Sequence, residues 1–259
     1  MKKLIFFNIS IFFVCLFLFS SCGLETLYYL DAPYQRQTNP TVSDAGEAVS
    51  FDEAYFDFDT NDKENASDGE FRYLGTAVYY KIYNNYKIMN SYISSVSSIS
   101  SSTTTSSSAF SSLQSNGYLE LGAKENGAEK NFSPLVEAKS SNQNVVIRLT
   151  NYHEPDQSSE EWKNYAYRAK IEIDGVEKYV PMRNDSTKSF DFGRKNSSGD
   201  YDKPKSGDDD VNYGTASKTD VYYVALYAVA VGRDNSFTNY YSNVLYLGSV
   251  AIDASSEDN

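Results

Sequence analysis

Two acidic segments of the chain carry oxygen atoms at the spacing that calcium sites use. They are Asp57, Asp59 and Asn61 in the first segment and Asp208, Asp209, Asp210 and Asn212 in the second. An EF-hand loop places ligands at positions one, three and five, but it also needs Gly at six and Glu at twelve. The first segment has Asp62 and Asp68 at those places. We therefore interpret both segments as solvated acidic loops, with loose calcium binding as the alternative.

A second candidate for chemistry is the polar segment around the one histidine of the chain. It contains His153, Glu154, Asp156, Glu160 and Glu161, followed by Trp162. Glycoside hydrolysis needs two carboxyl groups that flank a cleft, whereas the adjacent Glu160 and Glu161 would point to opposite faces of a strand. Because Pro155 interrupts the segment, we interpret it as a surface loop and predict no catalytic residue.

Tyrosines offer a third kind of site, a platform on which sugars stack. The candidates are Tyr79, Tyr80, Tyr83, Tyr222, Tyr223, Tyr240 and Tyr241. Tyrosine is also favoured on half-buried strands for packing alone. The structural interpretation is therefore preferred to the sugar-binding one.

The composition excludes several classes of function. The 259 residues include 23 basic and 35 acidic ones, which gives a net charge of −12 and argues against a nucleic-acid partner. One histidine and two cysteines leave little from which to build a Cys/His zinc site or a Ser-His-Asp triad. The aromatic fraction of 15% is too high for a disordered chain.

Residues 1–21 have the pattern of a secretory signal peptide. Lys2 and Lys3 precede an apolar run from Leu4 to Phe19. That run has 16 residues, just short of the ~17–25 that a membrane-spanning helix needs. The sequence therefore predicts export rather than a transmembrane helix.

The residues at the end of this segment, Phe19-Ser20-Ser21-Cys22-Gly23, resemble a bacterial lipobox, with Phe19 where that family usually has Leu. The resemblance implies that Cys22 becomes the lipidated first residue of the mature chain. Gly23, the residue after the cysteine, resembles the pattern of lipoproteins that are sorted to the outer membrane. Cys15 would be removed with the signal, so the mature chain would have no internal disulfide. The alternative is an ordinary signal peptide with an accidental cysteine.

The body of the chain alternates with period two, which predicts strands. We predict them at 51–59, 72–83, 144–152, 164–174, 176–182, around Phe190 and Phe192, at 220–231 and at 239–252. The segment 220–231 is apolar on both faces, as in a central strand, and Gly232 to Asn235 supplies turn residues. Pro181 is typical of an edge strand.

Asp174-Gly175 predicts a two-residue hairpin turn between the strands 164–174 and 176–182. That turn would set Glu172 opposite Glu177, which is unfavourable. A different register is therefore left open.

Helical spacing occurs once, within 84–116. Tyr86, Met89, Ile93 and Val96 form one apolar stripe, and Ala109, Phe110 and Leu113 fit a second short helix that ends at Asn116-Gly117. We expect 84–118 to dock on the sheet as an appendage to the β body. A flexible Ser-rich linker is the alternative.

The segment from Tyr223 to Val229, with Tyr241-Ser242-Asn243-Val244, resembles the last two strands of a fibronectin type III domain. Residues 51–59 and 72–83 are similar to its early strands. The resemblance implies a mainly β fold: a fibronectin type III-like β-sandwich with a large insertion that contains a short helical hairpin and extra strands. The predicted organisation is a signal peptide at 1–21, a lipid-anchored tether at 22–50, the elaborated sandwich at 51–252 and a disordered acidic tail at 253–259.

These features together predict a lipid-anchored protein of the bacterial cell envelope, in the outer membrane. Its expected role is non-catalytic: binding, adhesion or envelope structure, with a protein or envelope component as partner. The alternative is a lipoprotein that captures a carbohydrate or ion for a transporter, and a hydrolase is the least favoured hypothesis. No cofactor is predicted beyond the lipid on Cys22 and the calcium alternative.

Overall fold

The structure is a computed structural model. It describes residues 28–44, 54–67, 69–100, 108–130, 133–150, 168–184, 187–193 and 202–254. In chain order the strands are β1 Tyr34–Gln35, β2 Phe56–Asp59, β3 Phe71–Tyr83, β4 Leu119–Glu120, β5 Gly122–Glu125, β6 Ala128–Glu129, β7 Val136–Glu137, β8 Asn144–Arg148, β9 Lys170–Ile173, β10 Val176–Met182, β11 Val211–Asn212, β12 Val221–Asp234, β13 Asn239–Tyr241 and β14 Leu245–Asp253. The helices are α1 Tyr86–Ser100 and α2 Ser108–Ser115.

The strands form two sheets. The first has the order β1-β2-β8-β9-β10-β5-β6, and the second is built on the long antiparallel pair of β3 and β12. In the second sheet, β13 and β14 pair with β12, while β4, β7 and β11 pair with β3. Every pairing is antiparallel except that of β11 with β3. The fold is therefore mainly β and consistent with a β-sandwich, as the alternation predicts.

The main core lies between the two sheets. From β3 it receives Val78, Tyr80 and Ile82, the face that the alternation predicts. The first sheet contributes buried apolar side chains of β2, β8 and β9: Phe56, Phe58, Val145, Ile147, Ile171 and Ile173. Strand β12 is buried on both faces, as predicted for a central strand.

The two helices form a third layer on the outer face of the second sheet. Met89 and Val96 of α1 pack there with Phe110 and Leu113 of α2, over the odd-numbered residues of β3 and β12. The predicted helices are thus confirmed, while 101–107 of the serine tract lie outside the described residues. They dock on the sheet, as expected, and bury one face of the central strand pair.

The β9–β10 hairpin has the register that places two like charges opposite each other. Its turn at 174–175 has positive φ at both residues, and Glu172 lies opposite Glu177. Each carboxylate has its own cation: Lys170 Nζ lies 2.7 Å from Glu172, and Arg168 lies 2.5 Å from Glu177. Because each negative charge is compensated locally, the two-residue turn sets the register.

Strand β10 is not an edge strand, since it lies between β9 and β5 in the first sheet. Its pairing with β9 ends at Tyr179, and its pairing with β5 begins at Val180. Pro181 lies in the second part, where the strand has a single pairing partner. The missing N–H of proline is tolerated there because only one neighbouring strand requires a hydrogen bond.

Three other local predictions are wrong. Residues 187–193 contain no strand; Phe190 and Phe192 are buried in the main core from an irregular segment. Strand β12 continues through Gly232 to Asp234, into the segment that was predicted to be a turn. The predicted strand 239–252 is divided into β13 and β14 at residues 242–244, where Ser242 Oγ accepts the hydrogen bond of Ala230 N–H at 2.9 Å.

The ends of the chain are described only in part. The predicted signal peptide and Cys22 lie outside the described residues, as do 23–27 and 45–50 of the predicted tether and 255–259 of the predicted tail. The rest of the tether, 28–44, packs on the body: β1 pairs with β2, and Leu30 and Val42 are buried. In the tail, Asp253 ends β14 and Ala254 is buried.

Candidate functional site

A buried arginine organises the most polar site of the described structure. Arg183 follows the last residue of β10, and its side chain is fully buried. Its Nε donates to Asp210 Oδ2 at 2.7 Å, and its NH2 nitrogen donates to Asp210 Oδ1 at 2.5 Å and to Asp208 Oδ2 at 2.7 Å. NH1 donates to the carbonyl oxygen of Asp202 at 3.1 Å. Protein oxygens therefore accept four of the five N–H bonds of this guanidinium.

Further side chains complete what we call the Arg183 cluster: Tyr80, Arg183, Lys188, Asp202, Asp208 and Asp210. Tyr80 donates its hydroxyl to Asp210 Oδ2 at 2.6 Å and accepts the backbone N–H of residue 184 at 2.8 Å. Lys188 Nζ donates to Asp208 Oδ1 at 3.0 Å. Two carboxylates, Asp208 and Asp210, thus face two cations.

The electrostatics of the cluster favour the charged ion pairs. Although burial opposes ionisation, hydrogen bonds from Arg183, Lys188 and the backbone of Lys205 lower the pKa of Asp208 to about 2. Burial also disfavours the charge on Arg183, but Asp210 and Asp208 outweigh it and raise the guanidinium pKa above its usual value. Burial, then the charge of Asp210, raises the pKa of the Tyr80 hydroxyl, so this group stays protonated.

The cluster connects the two sheets at one side of the sandwich. Arg183 extends from β10 of the first sheet, whereas Tyr80 belongs to β3 of the second. The carbonyl oxygen of Asp210 also accepts the N–H of Ile82 at 2.9 Å, just before β11 joins the sheet. The arrangement therefore acts as an electrostatic clamp between the layers, with its strong donors and acceptors engaged with one another.

A cavity of about 210 Å³ borders the Arg183 cluster. Its lining includes Asn184, Lys188, Asp208 and Asp209, so it is mostly polar. Drug-sized ligands usually occupy ~300–1,000 Å³. The size and lining suit a small polar molecule.

The calcium candidates are not the solvated loops that the sequence predicts: Asp57 and Asp59 lie on β2, Asp210 is buried, and the acidic groups have protein partners. Asp57 Oδ1 accepts a hydrogen bond from the side-chain amide of Asn144 at 2.7 Å, and Asp59 Oδ1 accepts one from the guanidinium of Arg36 at 3.4 Å. Asn61 donates its amide to a backbone carbonyl at 3.2 Å. In the second segment, Asp208 and Asp210 form ion pairs with Arg183. Across the described ranges, no group of three His, Cys, Asp or Glu side chains has an arrangement that could hold a metal.

The tyrosine platform does not form on the surface. Tyr80 and Tyr222 are buried between the sheets, whereas Tyr79, Tyr83 and Tyr223 are buried under the helices. Tyr241 is partly buried against α2, where its ring stacks on Phe110, and Tyr240 is partly buried beside Phe71. The structural interpretation of these tyrosines is therefore confirmed for the five buried ones. The candidates from His153 to Trp162 lie outside the described residues.

A second group with shifted pKa values lies near the end of the β4–β7 region. Burial lowers the pKa of Lys130 to about 8 and raises that of Glu120. Ser133 Oγ donates to Glu120 Oε1 at 2.6 Å, and Lys130 Nζ donates to the carbonyl oxygen of Pro134 at 3.1 Å. These hydrogen bonds hold Ser133 against β4 and Lys130 against Pro134.

The sequence analysis singled out Asp208 and Asp210 of the Arg183 cluster, but it did not identify Arg183. A charged residue directly after an apolar strand is a weak signal, since most such residues face solvent. The pairing joins residues 183 and 210 across two layers, so only the packing of the sheets reveals it.

Comparisons with protein-family models, with curated proteins and with solved structures gave no match to this chain. Neither helix in the described part of the chain has the length and apolar character needed to cross a membrane.

Proposed function

We propose that this protein is a lipid-anchored, non-catalytic binding module of the bacterial cell envelope, with Cys22 as the lipidated residue. The observation that carries the proposal is the short distance along the chain between Cys22 and the folded body. Tyr28, only six residues later, already packs on the sandwich through Phe71 and Tyr240. A cysteine at the end of a signal-like segment thus leads almost directly into a folded domain.

The proposal includes a fibronectin type III-like sandwich, and the strand order supports this. Immunoglobulin-like sandwiches place strands A, B and E in one sheet and C, F and G in the other. Here β1, β2 and β8 are neighbours in one sheet, and β3, β12 and β14 are neighbours in the other, in the same chain order. The helices and β4–β7 are then an insertion between C and E, and β9–β11 an insertion between E and F.

A non-catalytic role is supported by the most polar site in the described structure. In the Arg183 cluster, the guanidinium, both carboxylates and the Tyr80 hydroxyl bind one another. Groups held in this way stabilise a fold, whereas a catalytic group must be able to reach a substrate. Proteins of this architecture often present ligands or partners with their loops.

A ligand-binding lipoprotein that serves a transporter is the second candidate, and the cavity beside the clamp favours it. Asn184, Lys188 and Asp209 would offer a carbohydrate or ion both hydrogen-bond donors and acceptors. Such a ligand would raise the melting temperature in proportion to the logarithm of its concentration.

Replacement of the lipidated residue tests the anchor. We expect Cys22→Ala to move the chain that lacks residues 1–21 from the membrane fraction to the soluble fraction, because only the acyl chains attach that chain. Cys15→Ala is the matched control and should leave the distribution unchanged, since Cys15 lies within the signal-like segment. Fractionation and immunoblotting measure both variants. Retention of Cys22→Ala on membranes after high-salt washing would contradict the proposal.

A further inference from the structure

The turn between β12 and β13, residues 235–238, presents an unusual side chain to solvent. Phe237 is 81% exposed, the highest value among the exposed large hydrophobic residues of the described chain. Its φ is +63°, a conformation that costs energy for a bulky residue other than glycine. An aromatic side chain held outward at such a cost is a candidate contact group.

The turn is held rigidly by Asp234. One carboxylate oxygen accepts the N–H of Ser236 at 2.8 Å and that of Thr238 at 2.9 Å. The other oxygen accepts the Tyr240 hydroxyl at 3.0 Å, and the carbonyl of Asp234 accepts the N–H of Phe237 at 3.0 Å. The position of Phe237 is therefore fixed by the fold.

The start of the folded body lies at the same end of the sandwich. Phe71 is the β3 partner of Asp234, so its ring lies next to the turn. Tyr28 stacks on Phe71 at 4.7 Å and contacts the edge of Tyr240 at 5.4 Å. Tyr28 lies six positions after Cys22, and this stretch spans at most about 22 Å. A lipid on Cys22 would hold this end, and no other, close to the membrane.

The surroundings of the turn suit a lipid headgroup layer. Tyr29 is 59% exposed next to Tyr28, and aromatic residues concentrate at membrane interfaces. Arg72 and Arg233 are exposed and lie opposite each other on β3 and β12, directly before the turn. Their cations can bind lipid phosphates, in a chain whose net charge is −12.

We propose that Phe237 and Tyr29 insert into the interface of the membrane that carries the anchor, so that the sandwich stands on the lipid surface by the end that bears the β12–β13 turn. This inference rests on the proposed lipidation of Cys22. The opposite end of the second sheet, where β11 pairs with residues 82–83, then points away from the membrane.

Tryptophan fluorescence on vesicles tests this orientation. The chain has one tryptophan, so Trp162→Phe provides the background, and its melting curve checks that the fold is retained. Phe237→Trp and, independently, Tyr29→Trp report on the proposed contact. Tyr213→Trp is the matched control, because Tyr213 is 50% exposed and follows β11 at the opposite end. The full lipidated protein is incorporated into phosphatidylcholine vesicles with or without brominated acyl chains.

We expect brominated lipid to reduce the emission of Phe237→Trp and Tyr29→Trp by roughly twofold, as at an interfacial position, and to leave that of Tyr213→Trp unchanged. Flotation of the same samples shows whether the anchor itself holds. Floating protein without quenching at either position, or with equal quenching at all three, would overturn the orientation but not the anchor. In the first case Phe237 would be open to a protein partner. Failure to float would overturn the anchor and this inference together.

Discussion

Alkaline solution is expected to unfold this protein cooperatively within about one to two pH units above pH 10. Burial raises the pKa of Tyr80, Tyr83, Tyr118 and Tyr227 far above the ordinary value, and it raises that of Tyr246 to about 12. These hydroxyls ionise in the unfolded chain near pH 10. Above that pH the folded state therefore binds more protons than the unfolded state.

The sign and size of the effect follow from proton linkage. Because the folded-state pKa values are raised, the stability is complete below pH 10 and is lost as the pH rises above it. Each buried tyrosine costs about 1.4 kcal/mol per pH unit in that range. Four of them together cost about 5–6 kcal/mol per unit, which compares with a typical total of about 5–15 kcal/mol. Lys130, whose pKa burial lowers to about 8, acts in the opposite direction between pH 8 and its unfolded value, but it is a single group.

Circular dichroism and tyrosinate absorbance, followed in one titration, measure this transition. The buried tyrosinates should appear together with the loss of β signal. Tyr83→Phe removes one buried ionisable group and should make the pH dependence less steep, whereas Tyr29→Phe, at an exposed site, should not. Ionisation of nearly all tyrosines near pH 10 in a chain that is still folded would contradict the prediction.

Loss of the Arg183 side chain is expected to destabilise the fold by about 3–5 kcal/mol, as for other broken buried ion pairs. Arg183→Met fills a similar volume but leaves Asp210 buried without its guanidinium. Asp208 would keep only Lys188 as a cationic partner. Arg183→Lys should lose less, because it keeps the charge but cannot bind two carboxylates and the Asp202 carbonyl together.

Urea unfolding at neutral pH measures these differences. Lys188→Met is the matched control: this lysine contacts the same Asp208 but is about one-third exposed, so its loss should cost at most about 1 kcal/mol. A second variant, Arg183→Met combined with Asp210→Asn, should recover part of the lost stability, because the buried charge is removed. If Arg183→Met were as stable as Lys188→Met, the clamp would not hold the sheets.

The elements with local signals could be predicted from the sequence. Strict alternation at Val78, Tyr80 and Ile82 placed β3 and its buried face correctly. The stripe that includes Met89 and Val96 placed α1. In both cases the period of the side chains matches the period of the element, so local information is sufficient.

Features that depend on distant parts of the chain could not be predicted. Phe190 and Phe192 alternate like a strand, but they fill the core from an irregular segment because Tyr80 and Tyr222 provide aromatic contacts there. The interruption between β13 and β14 depends on Ser242. Its hydroxyl accepts the Ala230 N–H in place of a backbone carbonyl of the neighbouring strand. The Arg183 cluster likewise joins β10 to a segment some 27 residues away and to β3. Each outcome depends on how the sheets pack, which periodicity does not encode.

Mass spectrometry of the mature protein, purified from its native membranes, tests the central claim of a lipid-anchored sandwich most directly. The account predicts that the first residue is Cys22, that its mass includes a diacylglyceryl group, and that residues 1–21 are absent. An N-terminal peptide that contains Cys22 without acyl chains, or a chain that retains residues 1–21, would contradict it.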